Sequence, residues 1–208
     1  MNDFFKRGVN LLTQENMLQG FNWLNKPDRY SLENNMLKLT AKANTDFFRP
    51  INGLPKDNAS FFCCPISGDF TIQTHLNGEF YSSGDAGSLI IRYSPERWAK
   101  ICVERNGSGE ISIVTVVTDG TSDDANSELI SGADAYLRIT RIGETIGMHY
   151  SIDGLKWRFV RKFRFEHSDI HPLMIGIQAQ SPCGEGCTVT FSLLQISFQV
   201  ITDFKSGE

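Results

Sequence analysis

No apolar run in this sequence is long enough to cross a bilayer. The longest, around Ile111 to Val117, falls far short of the roughly 18 residues a spanning helix needs. Positive charge is not in excess either: 20 Lys plus Arg stand against 24 Asp plus Glu, a net charge of -4. The chain therefore lacks the positive field on which non-specific phosphate binding depends, and neither nucleic acid nor a membrane is an expected partner. Residues 1–16 show no basic segment followed by an apolar stretch and a small-residue cleavage site, so a cytoplasmic location is expected. Cysteine is scarce and odd in number. Cys63, Cys64, Cys102, Cys183 and Cys187 occur in a chain large enough to do without disulfide staples, and free thiols are expected. No Ser/Pro tract, low-complexity segment or internal repeat divides the 208 residues, so residues 1–208 read as a single domain.

What is present is an alternation of period two. Apart from a short amphipathic helix expected near Asp3 to Leu18, giving residues 1–16 as a helical N-terminal extension, apolar residues recur at every second position between clusters of Gly, Pro, Asn and Asp. The clearest strands are 36–41, 69–76, 87–93, 98–105, 110–117, 135–142, 146–152, 156–165, 173–180 and 188–199. In the second of these, Phe70, Ile72, Thr74 and Leu76 share one face and leave the other polar. Asp153-Gly154 reads as a type I′ hairpin turn, and Asn106 to Gly109 as another hairpin turn. Ten or more half-polar strands are hidden most simply in an all-β sandwich of two antiparallel sheets.

The stretch richest in chemistry is 98–105, where alternation sends Ala99, Ile101 and Val103 to the core and puts Trp98, Lys100, Cys102 and Glu104 on the opposite face. In the preceding strand Ser88, Ile90 and Arg92 oppose Leu89, Ile91 and Tyr93, which places Arg92 beside Lys100 or Glu104 across the ladder. A ring with several charges on one sheet face is the composition of a ligand floor. Aromatic rings stack on flat ligands and on the apolar faces of sugars, and charged groups hold hydroxyls or carboxylates. The competing expectation is a solvated face dressed with long charged side chains.

The motifs also come in the order of a known pattern: Trp23 to Pro27, Thr45-Asp46-Phe47-Phe48, Gly68-Asp69-Phe70, Asp85-Ala86-Gly87 followed by Leu89 to Arg92, Trp98-Ala99-Lys100 with Glu104, Val114 to Asp123, and Ser151 to Gly154 with Trp157. In this the chain resembles the family of uncharacterised concanavalin A-like domains that includes the "regulation of enolase" protein, from about Met17 to Gln199. The resemblance implies a jelly-roll sandwich with a concave sheet and brings no established activity. The chain departs from the pattern at Ala86, where a Gln is usual, and at Asp124, where an aromatic is usual.

The leading expectation is thus a non-catalytic domain binding a small polar ligand, carbohydrate or sugar-like, through Asp85, Arg92, Trp98, Lys100, Glu104 and Asp123, with Trp98 as the stacking platform in an open cavity. Two alternatives stand beside it. A glycoside hydrolase would use Glu104 with Asp123 or Asp85, but the chain has no Glu-x-Asp or Asp-x-Glu pair to set two carboxyl groups at strand spacing. A regulatory protein-interaction domain linked to metabolism is what the family's enolase-linked name suggests. No cofactor or metal is expected. His167, His171, Cys183 and Cys187 are zinc-ligand types that would need two separate loops to meet, and the 119–124 segment lacks the ligand pattern of a calcium loop. Cys102 has no His nearby in sequence to activate it, and Trp157, Phe159, Phe163 and Phe165 read as core by alternation.

Overall fold

The computed structural model describes residues 9–13, 18–168 and 170–208. Among the described residues sixteen strands follow the short 3-10 turn Leu11–Thr13. The expected N-terminal helix otherwise falls mainly on residues outside those described. The strands are β1 Asn22–Leu24, β2 Arg29–Glu33, β3 Met36–Lys42, β4 Phe47–Phe48, β5 Lys56–Asp57, β6 Ser60–Ile66, β7 Phe70–Glu79 and β8 Ala86–Ser94. They continue as β9 Arg97–Arg105, β10 Ile111–Asp119, β11 Thr121–Ile130, β12 Asp134–Ile142, β13 Thr145–Ser151, β14 Arg158–Arg164, β15 Leu173–Gln180 and β16 Gly186–Ser197. Two seven-stranded antiparallel sheets form, in the orders β1-β6-β15-β8-β9-β10-β11 and β14-β13-β12-β7-β16-β3-β2. The chain is an all-β, jelly-roll sandwich.

Alternation explains the core. Leu89 and Ile91 of β8, Ala99, Ile101 and Val103 of β9, Phe70, Ile72 and Leu76 of β7, and Leu137 and Ile139 of β12 are all fully buried between the two sheets. Each buried Leu, Ile or Phe removes enough apolar surface from water to stabilise the fold by roughly 1.5–3 kcal/mol. Two strands carry no period-two signal. β6 is buried on both faces over Ser60 to Cys64, and β11 is polar and mostly exposed because it is an edge strand.

The Asp153-Gly154 turn differs from expectation. β13 ends at Ser151 and β14 starts at Arg158, and Gly154 alone of the pair has a positive φ, of 73°. The Asp153 carboxylate accepts hydrogen bonds from the amides of Leu155 and Lys156 at 2.8 Å, closing a longer loop in place of a two-residue turn. The true type I′ candidate is Asn34-Asn35, with φ of 51° and 61°, between β2 and β3.

A second, smaller apolar cluster lies on the outer face of the first sheet. Ala86, Ile90, Trp98, Cys102, Val114 and Val116 are covered there by Phe47, brought in by a strap that runs from Thr45 to Ala59 and contains the β4–β5 pair. This strap positions the candidate site.

Candidate functional site

The register of β8 against β9 pairs Arg92 with Trp98, Ile90 with Lys100, Ser88 with Cys102 and Ala86 with Glu104, and the one irregularity lies beyond Arg92. Trp98, Lys100 and Glu104 therefore share a face, as their spacing requires. That face does not open to solvent along its length. Trp98 is fully buried; its ring centroid is 6.1 Å from that of Phe47, and its Nε1 donates to the Pro95 carbonyl at 3.2 Å. The expectation of an open stacking platform is corrected accordingly. The indole and Phe47 hide each other's apolar surface, which neither could do alone.

Lys100 and Arg92 hold the strap down. The Lys100 ammonium, 1% exposed, spends all three donors: on Gln180 Oε1 at 2.7 Å, on the Phe47 carbonyl at 3.0 Å and on Asp46 Oδ1 at 3.3 Å. Burial alone would lower its pKa, but Asp46 foremost, with help from Glu104, more than offsets that and the net direction is upward. Arg92 donates to Asp57 Oδ2 at 2.9 Å and lies 5.1 Å from the Phe47 ring centroid. It stands opposite Trp98 and diagonal to Lys100, so of the two expected neighbours it has Lys100 and not Glu104. One cation grips the strap at Asp46 and the other at Asp57. Behind them Gln178 Nε2 donates to Gln180 Oε1 at 2.9 Å, and the Ser88 hydroxyl donates to Gln178 Oε1.

Glu104 is a carboxylic acid of the face whose ionisation burial disfavours. Its half-buried carboxyl group is pushed up to about 7, chiefly by burial; Lys100 pulls it down, and Asp46 and Asp124 push it further up. Among the described residues no hydrogen-bond donor reaches it. Directly opposite, the buried Ser112 hydroxyl also lacks a partner. The acid that accompanies Glu104 is Asp124, which pairs with Val116 and so shares the Lys100 face.

The two other expected acids are elsewhere. Asp123 pairs with Val117, points to the opposite side of the sheet and meets Arg161 Nη2 at 3.3 Å. Asp85 precedes Ala86, the residue opposite Glu104, and so faces away from it. Fully buried, it accepts hydrogen bonds from the amides of Tyr81 and Ser82 at 2.9 Å and from the Ser181 hydroxyl at 2.6 Å. It ties the 81–85 turn to the end of β15. Neither acid is placed to work with Glu104.

The remaining clusters disperse. His167 and His171 precede β15 while Cys183 and Cys187 follow it, and eight strand residues at roughly 3.3 Å each separate the two groups. Among the described residues no three His, Cys, Asp or Glu side chains converge as metal ligands. All five cysteines are free. Burial pushes the thiols of Cys102, Cys64 and Cys187 up to about 12 and that of Cys63 to about 11, so none of these is a thiolate nucleophile at neutral pH. Trp157 and Phe159, read as core, instead lie half-buried and exposed on the outer side of the second sheet, because the bulge between Met148 and His149 shifts the β13–β14 register. Sequence reasoning missed Asp46, Gln178 and Gln180. Of these only Asp46 carried a signal, in the Thr45 to Phe48 motif.

The pattern of the family described as "Protein of unknown function (DUF1349)" matches residues 23–199. The "Regulation of enolase protein 1" of Saccharomyces cerevisiae is 30% identical over 172 residues, which cover 82% of this chain and 85% of that one. A solved structure of a functionally unknown protein from Saccharomyces cerevisiae superposes with a TM-score of 0.81 at 28% identity, covering 88% of this chain and 99% of the other. A xylan beta-1,4-xylosidase from Bacillus halodurans C-125 superposes at 0.68 with 18% identity, covering 94% of this chain and 38% of the enzyme; that likeness is one of fold alone.

Proposed function

The chain belongs to the DUF1349 family, and from that premise we propose that it is a non-catalytic binding domain that takes a small polar, sugar-like ligand on the outer face of its first sheet, at Glu104, Asp46 and Asp124. The observation that carries this reading is the state of Glu104. Among the described residues its half-buried carboxyl group has no donor and the Ser112 hydroxyl opposite it has no partner, and it feels the charges of a buried ammonium and two further carboxylates. Buried polar groups are ordinarily satisfied, and a polyol supplies hydroxyl donors and acceptors in the alternating set that a carboxylate and a serine need. Lys100, Arg92 and Trp98 are positioning residues. They seat the strap whose Asp46 forms one wall. Sandwiches of this shape occur as part of a xylosidase, which makes xylose and xylo-oligosaccharides the first probes.

A second reading, glycoside hydrolysis, is favoured by the same carboxyl group, because a pKa near 7 suits a general acid and Asp124 or Asp46 offers a second carboxylate. One experiment separates the two. Calorimetric titration of wild type and Glu104→Gln with xylose, xylo-oligosaccharides and a panel of other mono- and oligosaccharides is followed by product analysis after long incubation. Binding by wild type, weakened at least tenfold in Glu104→Gln and without products, supports the binding domain. Products from wild type but not from the variant support the enzyme. Absence of binding to every sugar overturns both.

A further inference from the structure

On the outer face of the second sheet Arg138 of β12 stands opposite His149 of β13, and Gly147 lies two residues before that histidine. Arg138 is 7% exposed, and its guanidinium lies 3.6 Å from the centroid of the Trp157 ring. No carboxylate pairs with it among the described residues, and burial lowers its pKa to about 10. His149 is fully buried. A buried cation without a counter-charge is strongly disfavoured, so one retained on an outer sheet face calls for an anion.

What these groups meet instead is the chain's own 202–208 loop. Arg138 Nη1 donates to the Gly207 carbonyl at 2.7 Å, and His149 Nε2 lies 2.6 Å from the Phe204 carbonyl oxygen, while Arg138 Nε and His149 Nδ1 are buried with no partner among the described residues. The Phe204 ring rests on a shelf that only glycine leaves open: a Cβ at Gly147 would lie 2.1 Å from it. Lys162 Nζ is 5.8 Å from the centroid of the same ring, adding a second cation. The loop closes on itself. The amides of Thr202 and Asp203 both donate to the main-chain oxygen of Glu208 at 2.7 Å, and the Gly207 amide donates to the Asp203 carbonyl at 3.0 Å. Of the loop's two acidic side chains, Asp203 is turned onto the amides of Lys205 and Ser206, and Glu208 is exposed. Arg138, Gly147, His149 and Trp157 fall inside the region matched to the family, and the loop falls outside it.

We propose that Arg138, Gly147, His149 and Trp157 form a binding site for a carboxylate carried on a flat apolar body, and that the 202–208 loop occupies this site as a displaceable stand-in. The Phe204 ring lies where the ligand's body lies, and the carbonyl oxygens of Phe204 and Gly207 take the places of carboxylate oxygens. A guanidinium fork stacked on an indole matches a planar carboxylate in both shape and charge. This site is separate from the one around Glu104 and stands or falls independently of it.

The test titrates the full chain with 3-phenylpropionate, using 3-phenylpropanamide and acetate as controls for charge and ring. Phe204→Ser, which weakens the loop's grip, should bind 3-phenylpropionate at least tenfold tighter than wild type does. Adding Arg138→Gln to Phe204→Ser should cost at least tenfold, and both controls should bind at least tenfold more weakly than the acid. Equal affinity in wild type and Phe204→Ser, or equal affinity for acid and amide, overturns the proposal. Should Phe204→Ser fail to fold, hydrogen–deuterium exchange on wild type decides: saturating 3-phenylpropionate should speed exchange of the Asp203 and Gly207 amides, and unchanged exchange overturns it.

Discussion

Replacing Glu104 by Gln should stabilise this protein in alkaline solution and leave it unchanged in acid. The carboxyl group has a folded pKa of about 7 against an ordinary value of 4.5, so the folded state holds a proton that the unfolded chain releases. Below about pH 4.5 both states are protonated and the glutamic acid costs nothing. Between 4.5 and 7 the unfolded state ionises first and stability falls; above 7 the loss is complete. The interval from 4.5 to about 7 corresponds to about 3 kcal/mol at ~1.4 kcal/mol per pH unit, and water reaching a half-buried group trims this to roughly 2 kcal/mol. Glutamine has the shape of the protonated acid and no proton to lose. At pH 8.5 the variant should therefore be more stable by roughly 2 kcal/mol, or melt about 4–8 °C higher. At pH 4 the two proteins should coincide. Urea unfolding at pH 4, 5.5, 7 and 8.5 measures the gap directly. A gap that is the same at pH 4 and pH 8.5, or a variant less stable than wild type at pH 8.5, would refute the account of Glu104 as a desolvated acid without donors.

Phe47→Ala should cost about 3–5 kcal/mol and shift Trp98 emission to the red, because the strap loses the ring that covers the indole; unfolding curves and fluorescence check both. Lys100→Met should destabilise by about 2–3 kcal/mol, and by about 1–2 kcal/mol less in an Asp46→Asn background, since the loss is largely that of a charge left alone; a double-mutant cycle by denaturant unfolding reads the coupling. Iodoacetamide at pH 8 should label Cys183 alone in the native protein, the other four thiols being buried, and intact-mass analysis before and after unfolding counts the modified residues.

The sandwich was legible in the sequence because a strand's period of two is a local property. Ile101 and Val103 face the core, and Lys100 and Glu104 face away from it, whatever the rest of the chain does. Strands without alternation escaped the same logic: β6 is buried on both sides, and β11 is polar on both. Alternation also names which residues share a face but not what covers it. Trp98 reads as an exposed platform until Phe47, about fifty positions earlier, is folded over it, and Arg92 reads as a ligand anchor until Asp57 is placed against it. The choice between Asp123 and Asp124 turns on one step of register in an edge strand, since adjacent residues point to opposite sides of the sheet. Trp157 shows the same limit, because a bulge moved it from the expected core to the outer face beside Arg138. Local spacing thus determined the sheets and the set of side chains on each face. The strap, the edge register and the loop over Arg138 were decided by contacts between distant segments, whose free energy depends on the shapes that meet and leaves no periodic trace in the chain.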